Sequence, residues 1–84
     1  MEFKHPISVE ALRGSQLMLA YEDDERRLFD VSPYLSHPYY AGLEDPAVFD
    51  TAHIAHGTVA WFGNIDIAPD DLYFNSIGLK GDKI

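Results

Sequence analysis

Turn-forming residues break this chain at short intervals. Arg13-Gly14-Ser15, Glu22-Asp23-Asp24-Glu25, Ser32-Pro33, Asp45-Pro46, His56-Gly57, Gly63-Asn64 and Pro69 favour caps, tight turns or positive φ. The segments left between them have room only for brief strands and helices of one or two turns. The longest apolar runs, 17–21 and 58–62, fall far short of the roughly 18 residues that a membrane-spanning helix needs. No membrane partner is expected.

Within those segments the apolar spacing is informative. Ile7, Val9 and Ala11 alternate with Ser8 and Glu10, which predicts a strand over 7–11 that the turn at 13–15 ends. Leu17, Leu19 and Tyr21 share a face over 16–21, and a further run over 26–31 follows the acidic turn, so the two form a hairpin. In that further run Arg27, Phe29 and Val31 alternate with Arg26, Leu28 and Asp30, so each face carries an apolar residue and the pattern does not decide which is buried. Ser32 is placed to cap a helical turn that starts at Pro33 and runs through Leu35, and 36–42 reads as irregular. Asp45-Pro46 repeats the cap-plus-proline start for a helix over Ala47, Val48 and Phe49, with Val48 and Phe49 toward the sheet. The runs 53–55 and 58–61 flank His56-Gly57, a second hairpin whose Gly57 is free to take φ > 0. Ile65 and Ile67 share a face. Pro69, Asp70 and Asp71 open a last helix through Phe74 that Gly78 ends, and 79–84 is a tail expected to fray. The predicted architecture is a single α+β domain over 1–78, a small twisted, mostly antiparallel sheet built from two hairpins with short helices packed on it.

Composition narrows the function. At 84 residues and 46% hydrophobic the chain is one domain with enough apolar surface to fold. Lys plus Arg is 6 against 14 Asp plus Glu, a net charge of −8, which argues against a phosphate-backbone binder and hence against a nucleic-acid partner. The absence of cysteine excludes disulfides, thiolate metal sites and a Cys nucleophile, and it fits a reducing compartment. Glu2, Lys4, His5 and Pro6 stand where a signal peptide would place its apolar core, so the cytoplasm is the expected location.

Residues 58–73, read with Arg27-Leu28-Phe29-Asp30-Val31-Ser32-Pro33 and Asp45-Pro46-Ala47-Val48-Phe49, resemble in order and spacing the prokaryotic family called domain of unknown function 2442. The resemblance covers roughly residues 7–77. It implies a small α+β fold with a twisted antiparallel sheet and no established activity. Members of that family stand alone or precede a helix-turn-helix, and some lie beside a small partner gene in an arrangement read as toxin–antitoxin. There is no room here for the helix-turn-helix, so the DNA binding of longer relatives is not implied. Two departures stand out. Asp23-Asp24 occupies the hairpin tip where the family often has Asn-Gly, and Phe62-Gly63-Asn64 stands where it often has Pro-x-Gly. The first removes the glycine that takes the second position of a type I′ turn freely.

Candidate sites are few. His53 and His56 are three apart, which a strand sends to opposite faces, and this disfavours a metal site unless one of them lies in the turn and meets Asp66. The acidic tip 22–25 lacks the pattern of a calcium loop and reads as a solvated turn. Asp66, Asp70 and Asp71 suit solvation and a helix start better than acid–base catalysis, so no catalytic residue is assigned. Nucleophile-elbow, phosphate-loop and dinucleotide fingerprints are absent, and no cofactor or metal is implied. Trp61, Phe62, Tyr73 and Phe74 read as core. Tyr34, Tyr39 and Tyr40, in a proline-containing segment, read either as a lid over the sheet or as a binding patch. The binding residues expected from this reading are Tyr39, Tyr40, Trp61, Asn64 and Asp66. The expected function is that of a non-catalytic protein–protein interaction module, antitoxin-like on the family resemblance. It would bind a small basic protein, or a second copy of itself, through a sheet edge or the Tyr39-Tyr40 segment. The alternative is a small homodimeric ligand-binding domain or enzyme using Asp66 with His53 or His56.

Overall fold

A computed structural model describes residues 2–79. Three strands, β1 (Ser8–Leu12), β2 (Gln16–Ala20) and β3 (Arg26–Asp30), form an antiparallel meander, joined at the edge of β3 by a late strand, Ile77–Leu79. A second antiparallel sheet holds β4 (His53–Ala55), β5 (Thr58–Trp61) and β6 (Ile65–Asp66). The late strand, counted in chain order, is β7. Two short α-helices, α1 (Pro46–Phe49) and α2 (Pro69–Phe74), and 3₁₀ turns complete the fold. The α+β class and the antiparallel pairing are those the pattern predicts, and the strands are distributed over two sheets.

The separation into sheets begins where β3 ends. The Asp30 carboxylate accepts from the Ser32 N–H at 2.9 Å, so Asp30 takes the capping role expected of Ser32, and a 3₁₀ turn over Ser32–Tyr34 bends the chain away. His37 Nδ1 then accepts from the Tyr39 N–H at 3.2 Å and opens a 3₁₀ helix, Pro38–Glu44, through a stretch expected to be irregular. Pro38, whose ring sets φ for a helical start, accounts for the difference. The Asp45 carboxylate caps α1 as expected, accepting from the Ala47 N–H at 3.0 Å.

One core serves both sheets. Leu17, Leu19, Tyr21, Phe29 and Val31 come from the first, Val59, Trp61 and Ile67 from the second, and Leu43, Phe49 and Leu72 fill the space between. The buried face of β3 is therefore that of Phe29 and Val31, which the alternation left open. Arg27, on the same face, is half-buried. Its Nη1 pairs with Glu25 Oε2 at 2.9 Å, its other nitrogens donate to Ser76 Oγ and Ser76 O, and its guanidinium lies 4.4 Å from the centre of the Tyr73 ring. Burial works against the ionised form of Glu25, but hydrogen bonds from Lys4 and Arg27 outweigh it and hold this carboxyl below its usual range.

The same contacts explain the C-terminal correction. The last helix stops at Phe74, and Gly78 is not its terminator but the middle of β7, opposite Arg27. A Cβ at Gly78 would lie 3.3 Å from Arg27 Nη1, so glycine leaves the guanidinium its room. Leu79, assigned to the fraying tail, pairs with Arg26, and residues 80–84 of that tail lie outside the described residues. Two aromatics expected in the core are also outside it. Phe62 is 74% exposed and Phe74 46%, because Phe62 has left β5 for a loop and Phe74 ends α2 against Phe3.

Every hairpin tip carries two consecutive residues at positive φ: Gly14 and Ser15, Asp23 and Asp24, His56 and Gly57, Gly63 and Asn64. At the acidic tip the Glu25 N–H donates to Glu22 O at 3.3 Å around Asp23 (φ 64°) and Asp24 (φ 61°). That is the left-handed geometry of a type I′ turn, formed without glycine because Asp tolerates this region better than other non-glycine residues. Asp24→Gly should stabilise the domain by about 0.5–1 kcal/mol by removing the left-handed penalty, net of glycine's extra freedom in the unfolded chain. A urea midpoint shift at unchanged slope is the measurement. Tyr21 is buried with its hydroxyl unpartnered among the described residues, and burial is the main cause that pushes its pKa up to about 12. Tyr21→Phe should therefore be neutral or stabilising by up to about 1 kcal/mol, and a loss of more than that in the same denaturation assay would show that the hydroxyl is satisfied.

Candidate functional site

Residues paired across antiparallel strands point to the same side. In the second sheet the register aligns His53 with Ala60 and Ala60 with Asp66, and separately Ile54 with Val59 and Trp61 with Ile65. Val59 and Trp61 are in the core, so the row His53–Ala60–Asp66 lies on the outer face. Ala60 keeps the middle of that row low. The result is an open depression of about 630 Å³ whose lining includes His53, His56, Ala60, Phe62, Asn64 and Asp66.

The strand rule alone would separate the two histidines. His53 is in β4, however, whereas His56 is a turn residue at φ 53°, and both line the depression together with Asp66. They do not form an acid–base relay. His53 Nδ1 lies 2.8 Å from the carbonyl oxygen of Thr51, so it is the donor there, and in the neutral form of the ring Nε2 is then the acceptor. Asp66 is engaged elsewhere. The Tyr39 hydroxyl donates to Asp66 Oδ1 at 3.0 Å, with Asn64 O a second acceptor at 3.3 Å, and it accepts from the Asp66 N–H at 3.2 Å. One side chain from the 3₁₀ helix thus holds β6 at both its backbone and its carboxylate. Among the described residues no group of three or more His, Asp or Glu side chains is placed to hold a metal ion.

The expected binding residues divide accordingly. Asn64 and Asp66 are exposed at the depression, and Tyr39 is partly exposed but committed to Asp66. Tyr40 is half-buried, with its ring 4.7 Å from that of Tyr39 and 5.5 Å from that of Tyr34, and its hydroxyl is held above its ordinary range, first by burial and then by neighbouring Tyr39, Tyr34, Asp66 and Asp71. Trp61 does not present its indole to the surface. It is 2% exposed and stacks on Phe49, although the residue borders the depression.

Two features of the site escape sequence reasoning. Ala60 carries no chemical signal, and its role as a low floor follows only from the register. Phe62 follows Trp61 in an apolar run and so reads as core, although its position immediately before Gly63 marks it as leaving the strand. Its N–H donates to Thr51 Oγ1 at 2.8 Å, which fixes the backbone while the ring stands in solvent. Replacing Tyr39 by Phe removes both hydroxyl contacts to β6. Tyr39→Phe should lower stability by about 0.5–1.5 kcal/mol and speed hydrogen exchange at the Asp66 amide, as read by NMR.

Compared with known proteins, the chain matches the model of a family described as "Protein of unknown function (DUF2442)" over residues 6–78. Neither the curated proteins nor the solved structures yielded a match.

Proposed function

The chain belongs to the DUF2442 family, whose description assigns no activity, and from that premise we propose that it is a non-catalytic, cytoplasmic protein-interaction module whose partner is a basic protein. The observation that carries this reading is an acceptor-rich surface on an acidic chain. The depression holds His53, Asn64 and Asp66 beside the exposed ring of Phe62, and neither Lys nor Arg lines it among the described residues. With a net charge of −8 the whole molecule adds attraction for a cationic partner. Two of the six cations, Lys4 and Arg27, are already paired with Glu25. The enzyme alternative is less well supported, because His53 and Asp66 each bond to a different group instead of to one another. Among the described residues no helix is long and apolar enough to cross a membrane.

Family membership sharpens the reading to an antitoxin-like half of a pair with the small basic product of a neighbouring gene. A second reading, self-association, has its own support in β7. Ile77 and Leu79 are exposed at that sheet edge, and the register puts them on the same outer face as Leu28 and Met18. Co-expression with the neighbouring gene, followed by size-exclusion chromatography with light scattering at low and moderate salt, tests both. A stoichiometric heterocomplex that weakens as salt rises is the expected result. No complex at low salt overturns the basic-partner reading, and a concentration-dependent homodimer in its place supports association through β7.

A further inference from the structure

Resting on the interaction reading above, we propose that the outer face of the second sheet is a docking site for an arginine side chain of the partner protein, held between the Asp66 carboxylate and the bare Nε2 of His53 over Ala60. Adjacent strands lie about 4.8 Å apart, so residues two strands apart stand roughly 10 Å from each other across the row. Their side chains flank a gap that Ala60 does not fill.

The two side chains that flank Ala60 in the row, His53 and Asp66, both turn acceptors to the gap. In the neutral ring of His53 the Thr51 carbonyl selects the tautomer whose other nitrogen, Nε2, accepts. The Tyr39 hydroxyl occupies Asp66 Oδ1 and orients the carboxylate, while Oδ2 has no partner among the described residues. A group that satisfies both sides must donate in more than one direction. A carboxylate or phosphate would meet the negative charge of Asp66 on a chain of net charge −8, and a lysine ammonium is a compact point charge less able to reach both. The planar guanidinium, with five N–H donors in a fixed fork and a weakly hydrated face, suits the gap. Phe62, 74% exposed at the rim, offers an aromatic surface for the guanidinium plane or the aliphatic stem of the arginine. No cation of this chain lines the site to compete for it among the described residues.

The test uses the full chain labelled with ¹⁵N, titrated separately with acetyl-Gly-Arg-Gly-amide and with the same peptide carrying citrulline, the neutral isostere of arginine. The expected result is saturable shifts centred on the amides of Ala60, Phe62, Gly63 and Asn64 with the arginine peptide. Binding should be about tenfold weaker or more with the citrulline peptide and for Asp66→Asn, because each removes a charge-assisted contact. Asp66→Asn keeps an oxygen for the Tyr39 hydroxyl, and His53→Gln is a second variant that weakens binding without touching Tyr39. Equal response to both peptides overturns the proposal, as do shifts centred on residues 22–25 that are unchanged in Asp66→Asn, or no shifts at all. If the heterocomplex forms while the peptide test fails, only the arginine site falls. If the heterocomplex does not form, the basic-partner reading falls with it.

Discussion

Antiparallel pairing in this domain depends on one backbone demand, made four times. A strand with right-handed twist can return alongside its neighbour through a very short loop only if the loop residues enter the left-handed region. Each hairpin tip meets this with two adjacent positive-φ residues. Glycine supplies one member of the pair at three tips, and at the fourth two aspartates share the burden. These pairs sit in loops of two to five residues, loop length sets register, and register decides which residues reach the core. A slip of one residue in β5 would exchange Val59 and Trp61 with Thr58 and Ala60, emptying the core and filling the outer depression together.

A second node closes the fold. Arg27 sits on the core face of β3, where an unpaired guanidinium would be costly, yet Glu25, Ser76 and Tyr73 surround it. Through these partners one side chain joins the first hairpin to the end of α2 and the start of β7. Lys4 extends the network to the N-terminal segment through Glu25. His5 makes the corresponding tie to the second sheet, its Nδ1 lying 2.8 Å from Gly57 O. In a domain this small such cross-links supplement a core of limited size.

The outer face of the second sheet is a by-product of the same order that gains chemical character. Its geometry follows from register, its low floor from the absence of a long side chain at Ala60, and its electrostatic sign from an acidic chain whose neutralised cations lie elsewhere. Tyr39 couples that face to the connecting 3₁₀ helix, so Asp66 is presented in a set orientation. Groups already positioned in this way lower the ordering cost of any contact made to them.

Local chemistry was legible wherever the deciding partners are close in the chain. The His56-Gly57 hairpin, the Asp45-Pro46 helix start, the helix from Pro69 and the antiparallel α+β class all follow from residues within a few positions of one another. The family resemblance, carried by residues 58–73 and two supporting segments, is likewise a property of sequence alone. What remained open depends on contacts between distant segments. The buried face of β3 is decided by a core shared with a sheet that forms later in the chain. Residues 77–79 become a strand because Arg27, far upstream, holds Ser76. His53, Ala60 and Asp66 form one row because two separate hairpin registers align them. The sequence by itself determined where the chain can turn and which short elements it can form, since propensity and capping act over a few residues. Only the tertiary structure decided which faces are buried and which side chains meet at the surface, since those depend on packing between elements that no local pattern encodes.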